Sequence, residues 1–389
     1  MAQARFLLAK SEPRACFELT FRTNPFGGDF ALCAGLEPAL AFLRDWRFDE
    51  DDLSYLRTCT TVCGSPLFAE SFLAHLATLY FTCEVRAVPE GTVVFAGEPL
   101  VQVIGPLTLC QMVETSLLNI INFSTLIATK AARCVLAARP ARVLEFGMRR
   151  AQGPDGALMA SRAAYIGGVD ATSNVRAGKR YGIPVAGTHA HSWIMAFPDE
   201  LDAFRTYVAT SPHNAVLLVD TYDTLTGVGN AITVAHEMAA RGEQLRGIRL
   251  DSGDLAQLSR RAREMLDAAG LPDVQIVASN ALDEYAVTAL KEQGAAIDAW
   301  GIGTAMVTGG DQAALDGVYK MTAIEEVDAS GAVTWQPRAK ISDDPAKRSK
   351  PGITKSARLV LVMTRGVVYD DLPTLEEIRT HAATQLANS

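Results

Sequence analysis

The segment RLDSGD, residues 249–254, places two carboxylates three residues apart around a Ser-Gly turn. Asp251 and Asp254 are candidate ligands for Mg²⁺, which takes oxygen ligands and leaves further coordination positions to water and substrate phosphates. Asp254 has an equally good structural interpretation, because an aspartate in front of a helix accepts hydrogen bonds from its first backbone N–H groups. The segment therefore predicts Asp251 as the stronger metal ligand and leaves both roles open for Asp254.

Three arginines and a glycine turn indicate an anionic substrate. Arg149 and Arg150 stand in the segment EFGMRR, and Arg249 opens the acidic segment. Guanidinium groups bind carboxylates and phosphates through paired hydrogen bonds, although a surface arginine without a partner is the plainer explanation for any single one. The residues of GIGT, 301–304, are small enough for backbone N–H groups to approach a phosphate. Together these groups predict a substrate that carries a metal-bridged phosphate.

The segment PVAGTHAHSW contains His189 and His191, separated by one residue. One interpretation is the His-x-His zinc pair of barrel hydrolases, which needs further histidines after later strands. His213 precedes its predicted strand and His236 lies inside a predicted helix, so the sequence disfavours zinc. A catalytic histidine beside a neighbour, and a loop that is merely rich in histidine, remain open at this point.

A regular series of short apolar runs positions these residues from about residue 141 onward. Seven runs each end in a polar or glycine-bearing turn and lead to a helical segment, the pattern of repeated βα units and a parallel sheet: ARVLEFGMRR, AAYIGGVDATSN, IPVAGTHAHS, AVLLVDTYDT, GIRLDSGD, VQIVASNALDE and IDAWGIGT. Nearly continuous apolar strands need cover on both faces, which predicts an irregular β/α barrel, complete or one unit short, with a doubly wound open sheet as the alternative.

Barrel enzymes assemble their sites at the carboxyl ends of the strands. The polar residues that fall at those ends are Arg149, Arg150, Ser173, His191, Asp220, Asp223, Arg249, Asp251, Asp254, Asn280, Gly303 and Thr304. Loops are polar in any protein, so each residue alone has an ordinary explanation. The combination of arginines, paired acids and glycine turns favours a site.

The 389 residues exceed what one hydrophobic core usually supports, so two domains are expected. Residues 1–135 mix short strands, Gly-Pro turns and a long apolar helical stretch, which predicts an α+β domain. Residues 136–320 form the predicted barrel domain, and residues 321–389 follow it.

Charge and cysteine usage exclude several classes of protein. A net charge of -8 and a pI near 5.4 argue against binding to nucleic acid or to an anionic membrane. The sequence has neither a signal-peptide pattern nor an uninterrupted run of about 18 apolar residues. Seven cysteines, all between Cys16 and Cys134, suit reduced thiols. We therefore expect a cytoplasmic protein.

The longer motifs resemble one family almost throughout the chain. They are, in order, FELTFRTNPFGGDFALCAGLE, PEGTVVFAGEPL, ETSLLNIINFSTLIATKAAR, EFGMRRAQGPDGALMASRAAYIGGVDATSNV, PVAGTHAHSW, RLDSGDL, SNALDE, GIGT and DPAKRSKPG. They are similar to nicotinate phosphoribosyltransferases, which belong to the type II phosphoribosyltransferases. The resemblance implies an irregular α/β barrel, a smaller sandwich domain to which residues 321–389 return, and a homodimer with shared active sites.

The resemblance also implies a reaction and its co-substrates. Nicotinate and 5-phosphoribosyl-1-diphosphate would give nicotinate mononucleotide and diphosphate for NAD biosynthesis, with Mg²⁺ bound. ATP hydrolysis would be coupled through phosphorylation of His191, while His189 would be a neighbour without a role of its own. Nicotinamide or quinolinate as the substrate, a catalytically silent member, and a zinc-dependent hydrolase using His189 and His191 are the alternatives.

Site roles follow motif by motif from the same resemblance. Phe146 would stack on the pyridine ring and Arg249 would hold its carboxylate. Ser173 stands where nicotinamide-using relatives carry an aspartate, and a hydroxyl can donate to a carboxylate that an aspartate would repel. The phosphoribosyl-diphosphate contacts would be Arg149, Asp251, Asn280, Gly303 and Thr304, the Mg²⁺ ligands Asp220 and Asp251, and the catalytic residues His191, Asp251 and Arg249.

Both ends of the chain add expectations. The tail segment PRAKISDDPAKRSKPG collects cations that would help hold phosphates, including those of the partner subunit's substrate: Arg338, Lys340, Lys347, Arg348 and Lys350.

Relatives begin with a segment resembling TDLYQLTMAQAYF, whereas this chain begins MAQARF, with Arg5 in place of the tyrosine. Since that segment's aromatic residue stacks on the ring in the neighbouring site, the difference implies weaker nicotinate binding.

Overall fold

The computed structural model describes residues 1–8, 12–328, 330–343, 349–369 and 372–388. Its strands are β1 (Arg14–Phe21), β2 (Ala31–Leu32), β3 (Glu84–Ala87), β4 (Val93–Val94), β5 (Val101–Pro106), β6 (Arg142–Glu145), β7 (Ala171–Thr172), β8 (Val216–Leu218), β9 (Gly247–Leu250), β10 (Gln275–Ser279), β11 (Ala299–Ile302), β12 (Gly317–Val327), β13 (Val333–Pro337), β14 (Val360–Thr364) and β15 (Val367–Val368).

Helices connect most of these strands. They are α1 (Ala2–Leu8), α2 (Leu36–Asp45), α3 (Glu50–Thr58), α4 (Glu70–Leu76), α5 (Leu107–Met112), α6 (Glu114–Ala138), α7 (Gly153–Ile166), α8 (Val175–Tyr181), α9 (His191–Ile194), α10 (Glu200–Thr210), α11 (Thr224–Ala239), α12 (Leu255–Ala268), α13 (Glu284–Glu292), α14 (Thr304–Thr308) and α15 (Leu375–Ala387), with short 3-10 turns at Pro25–Gly27 and Met148–Arg150.

The chain divides into two compact units, and the first of them is discontinuous in sequence. One unit is formed by Met1–Leu126 together with Ala314–Ser389, and the other by Ile127–Ala313. The predicted boundaries stood at 135 and 320, whereas the first division here falls inside helix α6. The C-terminal segment thus joins the N-terminal one, as the predicted fold class requires.

The first unit contains a seven-stranded sheet with the order β13-β12-β1-β5-β3-β14-β15. Strand β1 lies near its centre and pairs antiparallel with both β5 and the C-terminal β12. Residues 15–19 of β1 are all buried, because helices and strands cover both faces of a central strand. Side chains from both ends of the sequence, such as Phe17 and Tyr319, share one hydrophobic core.

The second unit contains a six-stranded parallel sheet with the order β7-β6-β11-β10-β9-β8. Pairing of β6 with the last strand, β11, curls the sheet into an incomplete barrel. All four residues of β11 and the last four of β10 are buried, so the prediction of a barrel one unit short is confirmed and the doubly wound sheet is wrong.

One of the seven predicted strand units does not form a strand of this sheet. The run IPVAGTHAHS makes only an isolated bridge between Val185 and Thr172. The backbone N–H of Thr172 donates to Pro184 O at 3.0 Å, and the N–H of Ala186 donates to Thr172 O at 3.0 Å. Since Pro184 has no N–H group and a glycine follows at 187, this run is too short and too interrupted to add a full strand.

Aspartates cap four helices of the second unit, and three of these helices follow the barrel strands β8, β9 and β10. The side chain of the residue before each helix accepts a hydrogen bond from a backbone N–H in its first turn, at Asp199, Asp223, Asp254 and Asp283. Each such cap stabilises its helix by about 1 kcal/mol. These caps fix where four loops end, and the loops after β8, β9 and β10 carry predicted site residues.

Helix α6 is long and apolar enough to cross a membrane by length and composition alone. However, 61% of its most apolar window is buried within the fold, as expected for the core helix of a globular protein. The seven cysteines are free thiols, five of them buried, which agrees with the prediction of reduced cysteines.

Candidate active site

Arg249, the third residue of β9, donates hydrogen bonds to three oxygen atoms, two of which belong to distant segments of the chain. Its Nε donates to Ser279 Oγ at 2.7 Å, its Nη1 to Thr188 Oγ1 at 2.7 Å and its Nη2 to Asp251 Oδ1 at 2.9 Å. The side chain is 14% exposed. A guanidinium group has five N–H donors, so one donor on Nη1 and one on Nη2 have no partner among the described residues. The geometry leaves room for one bidentate anion.

An aromatic face lies next to this guanidinium. The Arg249 Cζ atom stands 5.7 Å from the centroid of the Phe146 ring. Phe146 follows β6 directly, and its N–H donates to Ile302 O of the neighbouring β11 at 2.9 Å. A Cβ atom at Gly301 would come within 2.6 Å of the Phe146 ring, so glycine is required for the ring to lie there.

A cavity of about 200 Å³ opens beside these two residues. Among the residues predicted for the site, it is lined by Phe146, Arg149, Arg150, Arg249, Asp251, Asn280, Gly303 and Thr304. The structure therefore brings together eight residues from the ends of β6, β9, β10 and β11. Three other predicted residues, Ser173, His191 and Asp220, are not among the described residues that line it.

Asn280 has a backbone conformation that marks the end of β10. Its φ angle is 141°, a region that side-chain-bearing residues rarely adopt and that costs on the order of 1–3 kcal/mol. The turn continues with the Leu282 N–H donating to Asn280 O at 2.9 Å. Asn280 lines the cavity at this strained position.

Asp251 is a carboxylate surrounded by donors. Its Oδ1 accepts from Arg249 and from the Ser279 hydroxyl, and its Oδ2 lies 3.6 Å from His191 Nε2. Burial opposes ionisation, but the Ser279 hydrogen bond and the Arg249 charge together lower the pKa of Asp251. It is therefore ionised at neutral pH and balances the positive charge of Arg249.

Asp220 follows β8 and supports the same turn. Its Oδ2 accepts from the Asp251 N–H at 3.0 Å and from the Ser252 hydroxyl. Its Oδ1 is buried and has no hydrogen-bond partner among the described residues. A buried carboxylate oxygen without a partner costs free energy unless a cation or water reaches it. Asp220 therefore fits the predicted role of a Mg²⁺ ligand.

His191 is the first residue of α9, and its ring lies between two of these groups. Its Nδ1 is 3.1 Å from Thr221 Oγ1, while Nε2 faces Asp251 as described. The side chain is 41% exposed. Asp251 links His191 to Arg249, so the three residues predicted as catalytic form one connected group.

His189 belongs to a different environment, and zinc binding by the two histidines is not supported. The His189 Nε2 accepts a hydrogen bond from the Leu218 backbone N–H at 3.2 Å. Burial lowers the pKa of His189 to about 4. Within the described ranges, no group of three His, Cys, Asp or Glu side chains could hold a metal ion.

Two of the acids predicted from the strand-end pattern, Asp223 and Asp254, act as helix N-caps. Asp254 Oδ1 accepts from the Gln257 N–H at 3.0 Å, and Asp223 Oδ1 accepts from the Thr226 N–H at 2.9 Å. Hydrogen bonds from Thr226 lower the pKa of Asp223. Of the two interpretations of Asp254, the structure supports the helix cap, because that oxygen is occupied.

Ser173 leaves β7 beside Phe146. The register pairs Glu145 with Thr172, and the Ser173 N–H donates to Glu145 O at 2.9 Å. The buried Glu145 carboxylate accepts from the Gly147 N–H and from the hydroxyls of Ser161 and Thr172. This network fixes the turns that carry Phe146 and Ser173 relative to each other.

The predicted tail cations belong to the first unit. Lys350 lines a cavity of about 190 Å³ together with Arg22 and Lys320. Arg338 pairs instead with Glu326, and the Lys340 N–H donates to Ser349 Oγ at 2.7 Å. Lys347 and Arg348 lie outside the described residues.

Sequence reasoning missed the hydroxyl groups of the site. Thr188, Thr221 and Ser279 contact Arg249 and His191 directly, yet none was singled out. Ser279 ends a buried strand one residue before Asn280, and that position is the signal that could have identified it. Hydroxyl residues are common in loops, so position alone does not separate them from solvated turn residues.

The carboxyl ends of strands β6, β9, β10 and β11 of the incomplete barrel thus surround one cavity that is lined by Phe146, Arg249 and Asp251. Residues 1–122 match the model of the nicotinate phosphoribosyltransferase (NAPRTase) N-terminal domain, and residues 141–380 match that of the nicotinate phosphoribosyltransferase (NAPRTase) family. The chain belongs to the nicotinate phosphoribosyltransferase family.

Individual relatives agree with this assignment. A nicotinate phosphoribosyltransferase of Bacillus subtilis (strain 168) is 49% identical over 350 residues, covering 90% of this chain and 69% of that protein. The Homo sapiens nicotinate phosphoribosyltransferase is 38% identical over 416 residues, covering 92% and 75%. The crystal structure of human Nicotinic Acid Phosphoribosyltransferase superposes with a TM-score of 0.81 at 32% identity, covering 100% of this chain and 92% of that one.

Proposed function

We propose that this protein transfers phosphoribose from 5-phosphoribosyl-1-diphosphate to nicotinate, giving nicotinate mononucleotide and diphosphate for NAD biosynthesis. The observation that carries the proposal is the Arg249 guanidinium, fixed by three oxygens beside the face of Phe146. A pyridine ring stacked on Phe146 brings its carboxylate to the two remaining donors of Arg249. Charge-assisted bidentate pairs of this kind are roughly twice as strong as neutral hydrogen bonds.

The preference for nicotinate over nicotinamide follows from the charge at the same place. Arg249 offers donors only, and Ser173, beside Phe146, carries a hydroxyl that also donates. A carboxylate accepts from both, whereas the amide NH₂ group of nicotinamide would face further donors. We propose Ser173 and Arg249 as the residues that select the acid.

The phosphoribosyl diphosphate binds, in this proposal, along the cavity rim next to the ring site. Arg149, Asn280, Gly303 and Thr304 line that rim, and arginine forks and backbone N–H groups suit phosphate oxygens. Nicotinate nitrogen forms its bond to the sugar carbon while the bond from that carbon to the diphosphate oxygen breaks. The protein's part is to hold the two reactants in line and to stabilise charge on the leaving diphosphate.

Mg²⁺ is the proposed metal, held by Asp220 and Asp251. The unpartnered Asp220 Oδ1 and the Asp251 Oδ2 atom, which accepts no hydrogen bond within 3.5 Å from the described residues, are the oxygens that fit. Mg²⁺ takes one or two carboxylates and fills its other positions with water and phosphate. When bound, it supplies stabilisation of the diphosphate charge. Asp251 additionally keeps the Arg249 side chain directed at the ring site.

ATP is the proposed co-substrate, through His191. An unprotonated imidazole nitrogen attacks the γ-phosphorus, the N–P bond forms, the bond to the bridging oxygen breaks, and ADP leaves. Water later hydrolyses the phosphohistidine. Thr221 and Asp251 flank the two ring nitrogens, so they orient the ring for this step. The half-exposed ring has the access that a nucleotide needs.

A homodimer with shared sites is also part of the proposal. The first unit has its own cavity lined by Arg22, Lys320, Lys350 and the buried Glu18. Arg22 pairs with Asp316, which leaves Lys320 and Lys350 as the cations proposed for phosphates of a partner's substrate. Mixing Arg249→Ala and Lys350→Ala chains tests this: each homodimer is expected to be impaired, and activity should return on mixing. Failure to recover activity, with hybrid dimers demonstrated, would contradict shared sites.

The free thiols support the proposal that the protein is located in the cytoplasm.

The function itself is tested with purified protein, Mg²⁺ and phosphoribosyl diphosphate. Nicotinate, nicotinamide and quinolinate are supplied separately, with and without ATP, and mononucleotide is measured by chromatography. Nicotinate mononucleotide alone is expected, with more formed when ATP is present. Turnover of nicotinamide or quinolinate instead would reject the substrate assignment, and no product at all would favour a catalytically silent member.

A further inference from the structure

His189 occupies the one place where the barrel sheet, as described, does not close. The sheet ends at β8 on one side, and on the other side it ends at β7 and the bridged segment around Val185. A cavity of about 480 Å³ inside the sheet reaches this gap, where Ala186, Gly187, Thr188 and Val216 line it. Strand-to-strand hydrogen bonds therefore do not join the two edges.

The edge strand β8 presents an N–H group to this gap. Leu218 is paired in register with Arg249, and the next N–H, that of Val219, donates to Arg249 O at 3.1 Å. In a parallel pair, N–H groups alternate between the two sides of a strand. The Leu218 N–H consequently points away from β9, toward the open side. There it donates to His189 Nε2 at 3.2 Å.

The hydrogen bond joins two segments that both carry site residues. Thr188, next to His189, accepts from Arg249 Nη1 and donates to His189 O at 3.3 Å. Two residues after His189 stands His191, whose ring contacts Thr221. Two and three residues after Leu218 come Asp220 and Thr221. The His189 ring thus connects the loop at 188–191 to the end of the edge strand.

We propose that neutral His189 is a positioning residue that closes the barrel by a side chain in place of a strand pair, and so aligns Thr188 and His191 with Asp220 and Thr221. Nε2 acts as an acceptor only when the ring is neutral with its proton on Nδ1. Tyr207 packs edge-on against the ring with centroids 4.6 Å apart, which fixes the ring plane. Of the charged groups near it, Arg249 and His191 both disfavour a positive charge on the ring.

A pair of variants separates the hydrogen bond from the bulk of the ring. His189→Leu keeps a similar volume but removes the acceptor. His189→Gln keeps an acceptor, Oε1, at about the reach of Nε2. His236→Leu is the matched control, because His236 is an exposed histidine on α11 of the same unit.

The first measurement is hydrogen–deuterium exchange of the peptide that contains Leu218, which does not depend on any activity. His189→Leu is expected to speed exchange of one amide in that peptide at least tenfold, and His189→Gln is expected to restore most of the protection. In His236→Leu, the peptide that contains Leu218 should exchange at the wild-type rate. Equal protection in wild type and His189→Leu would overturn the proposal.

The second measurement rests on the proposed function. In His189→Leu, the Michaelis constant for nicotinate should rise about tenfold and ATP stimulation should weaken, while the constant for phosphoribosyl diphosphate changes less than twofold. His189→Gln should recover both. If the Leu218 amide loses protection while the kinetics stay unchanged, the hydrogen bond that closes the barrel is supported, but its role in aligning the site residues is rejected. If the wild type makes no mononucleotide, the exchange result still decides the closure.

If His189→Leu does not fold, nitrogen-15 spectra of histidine-labelled wild type decide the question. The chain has only six histidines, and the His189 signals are assigned by their loss in His189→Gln. A neutral ring with the proton on Nδ1 at pH 7 is the expected result. A proton on Nε2 is incompatible with acceptance from Leu218 and would reject the proposal.

Discussion

Two buried clusters of charge in the barrel unit use the same chemistry for different ends. The rim cluster, formed by Arg249, Asp251 and Ser279, borders an open cavity, and its charged side chains are 14% and 22% exposed. The anchor cluster, formed by Lys130, Arg133 and Glu284, joins α6 to the start of α13. There, Lys130 Nζ lies 2.6 Å and Arg133 Nε 2.9 Å from the two Glu284 oxygens.

The difference lies in what the clusters leave unused. In the anchor cluster both oxygens of Glu284 are taken and the Lys130 and Glu284 side chains are 4% and 6% exposed, so no ligand can enter. In the rim cluster Arg249 keeps two donors and Asp251 keeps one oxygen. A buried ion pair is therefore a sign of function only when it leaves hydrogen-bonding capacity facing open space. The following experiments break or sharpen that distinction.

The largest effect on stability is expected at the anchor cluster. Lys130→Met keeps the length of the side chain but leaves the buried Glu284 with one cation fewer, which should lower the free energy of unfolding by about 3 kcal/mol. The Michaelis constants of the folded variant should not change. Denaturant unfolding and steady-state kinetics check both parts, and a variant with wild-type stability but altered nicotinate binding would invert the comparison.

Arg249→Ala should produce the reverse result. We expect kcat/KM for nicotinate to fall about 100-fold, or roughly 2.7 kcal/mol, mainly through the Michaelis constant for nicotinate, with a smaller change for phosphoribosyl diphosphate. The thermal transition should move little. Equal effects on both substrates would contradict the assignment of Arg249 to the carboxylate, and Arg249→Lys serves as the control for charge without the fork.

The stability contribution of His189 should be lost at a higher pH than the contributions of the two charged clusters. Its pKa lies at about 4 in the folded protein, below the ordinary value of 6.5, so the unfolded chain binds the extra proton first. The stability that the neutral ring contributes is therefore present at pH values above 6.5 and is lost progressively as the pH falls toward 4. The pKa values of Asp251 and Glu284 are lowered, so their contributions are lost only in more acidic solution.

Comparing unfolding free energies of wild type and His189→Gln from pH 7 to pH 4 measures this contribution. Since His189→Gln keeps the acceptor, the two curves should lie close together at neutral pH, and wild type should lose stability relative to the variant as the pH falls toward 4. Parallel curves would show that His189 does not titrate in this window.

The smallest effect is expected for His191→Ala. The variant should keep slow transfer without ATP and lose the stimulation by ATP, a coupling on the order of tenfold. The rate of mononucleotide formation is measured with and without ATP. Undiminished stimulation would remove His191 from the coupling.

The sequence was sufficient to predict the barrel and most of the rim. Continuous apolar strands followed by polar turns placed Arg149, Arg150, Arg249, Asp251, Asn280, Gly303 and Thr304 at strand ends, and the structure gathers them around one cavity. Phe146, which lines the same cavity, was predicted from the family resemblance alone. That inference works because all carboxyl ends of a parallel barrel meet at one edge. Ser173 and His191 also follow the strand ends, but their roles remain predictions.

What the sequence did not predict depends on pairwise distances. The segment RLDSGD left both a metal-ligand role and a helix-cap role open for Asp254, and only the helix geometry shows that its Oδ1 accepts the capping hydrogen bond from Gln257. Thr188 and Ser279 come into contact with Arg249 from 61 and 30 residues away, which no local pattern encodes. The missing strand around Val185, and the bond from Leu218 to His189 across the resulting gap, likewise arise from tertiary pairing.

Gly301 gives the ring site an unusual vulnerability. The space beneath Phe146 exists only because position 301 lacks a side chain, since even one methyl group would press against the ring at 2.6 Å. Gly301→Ala would displace the Phe146 ring into the cavity and obstruct planar ligands, while the charged side chains kept their positions. The added methyl group would thus weaken ligand binding by steric exclusion, and this effect would depend on ligand size, unlike the loss of a charged side chain.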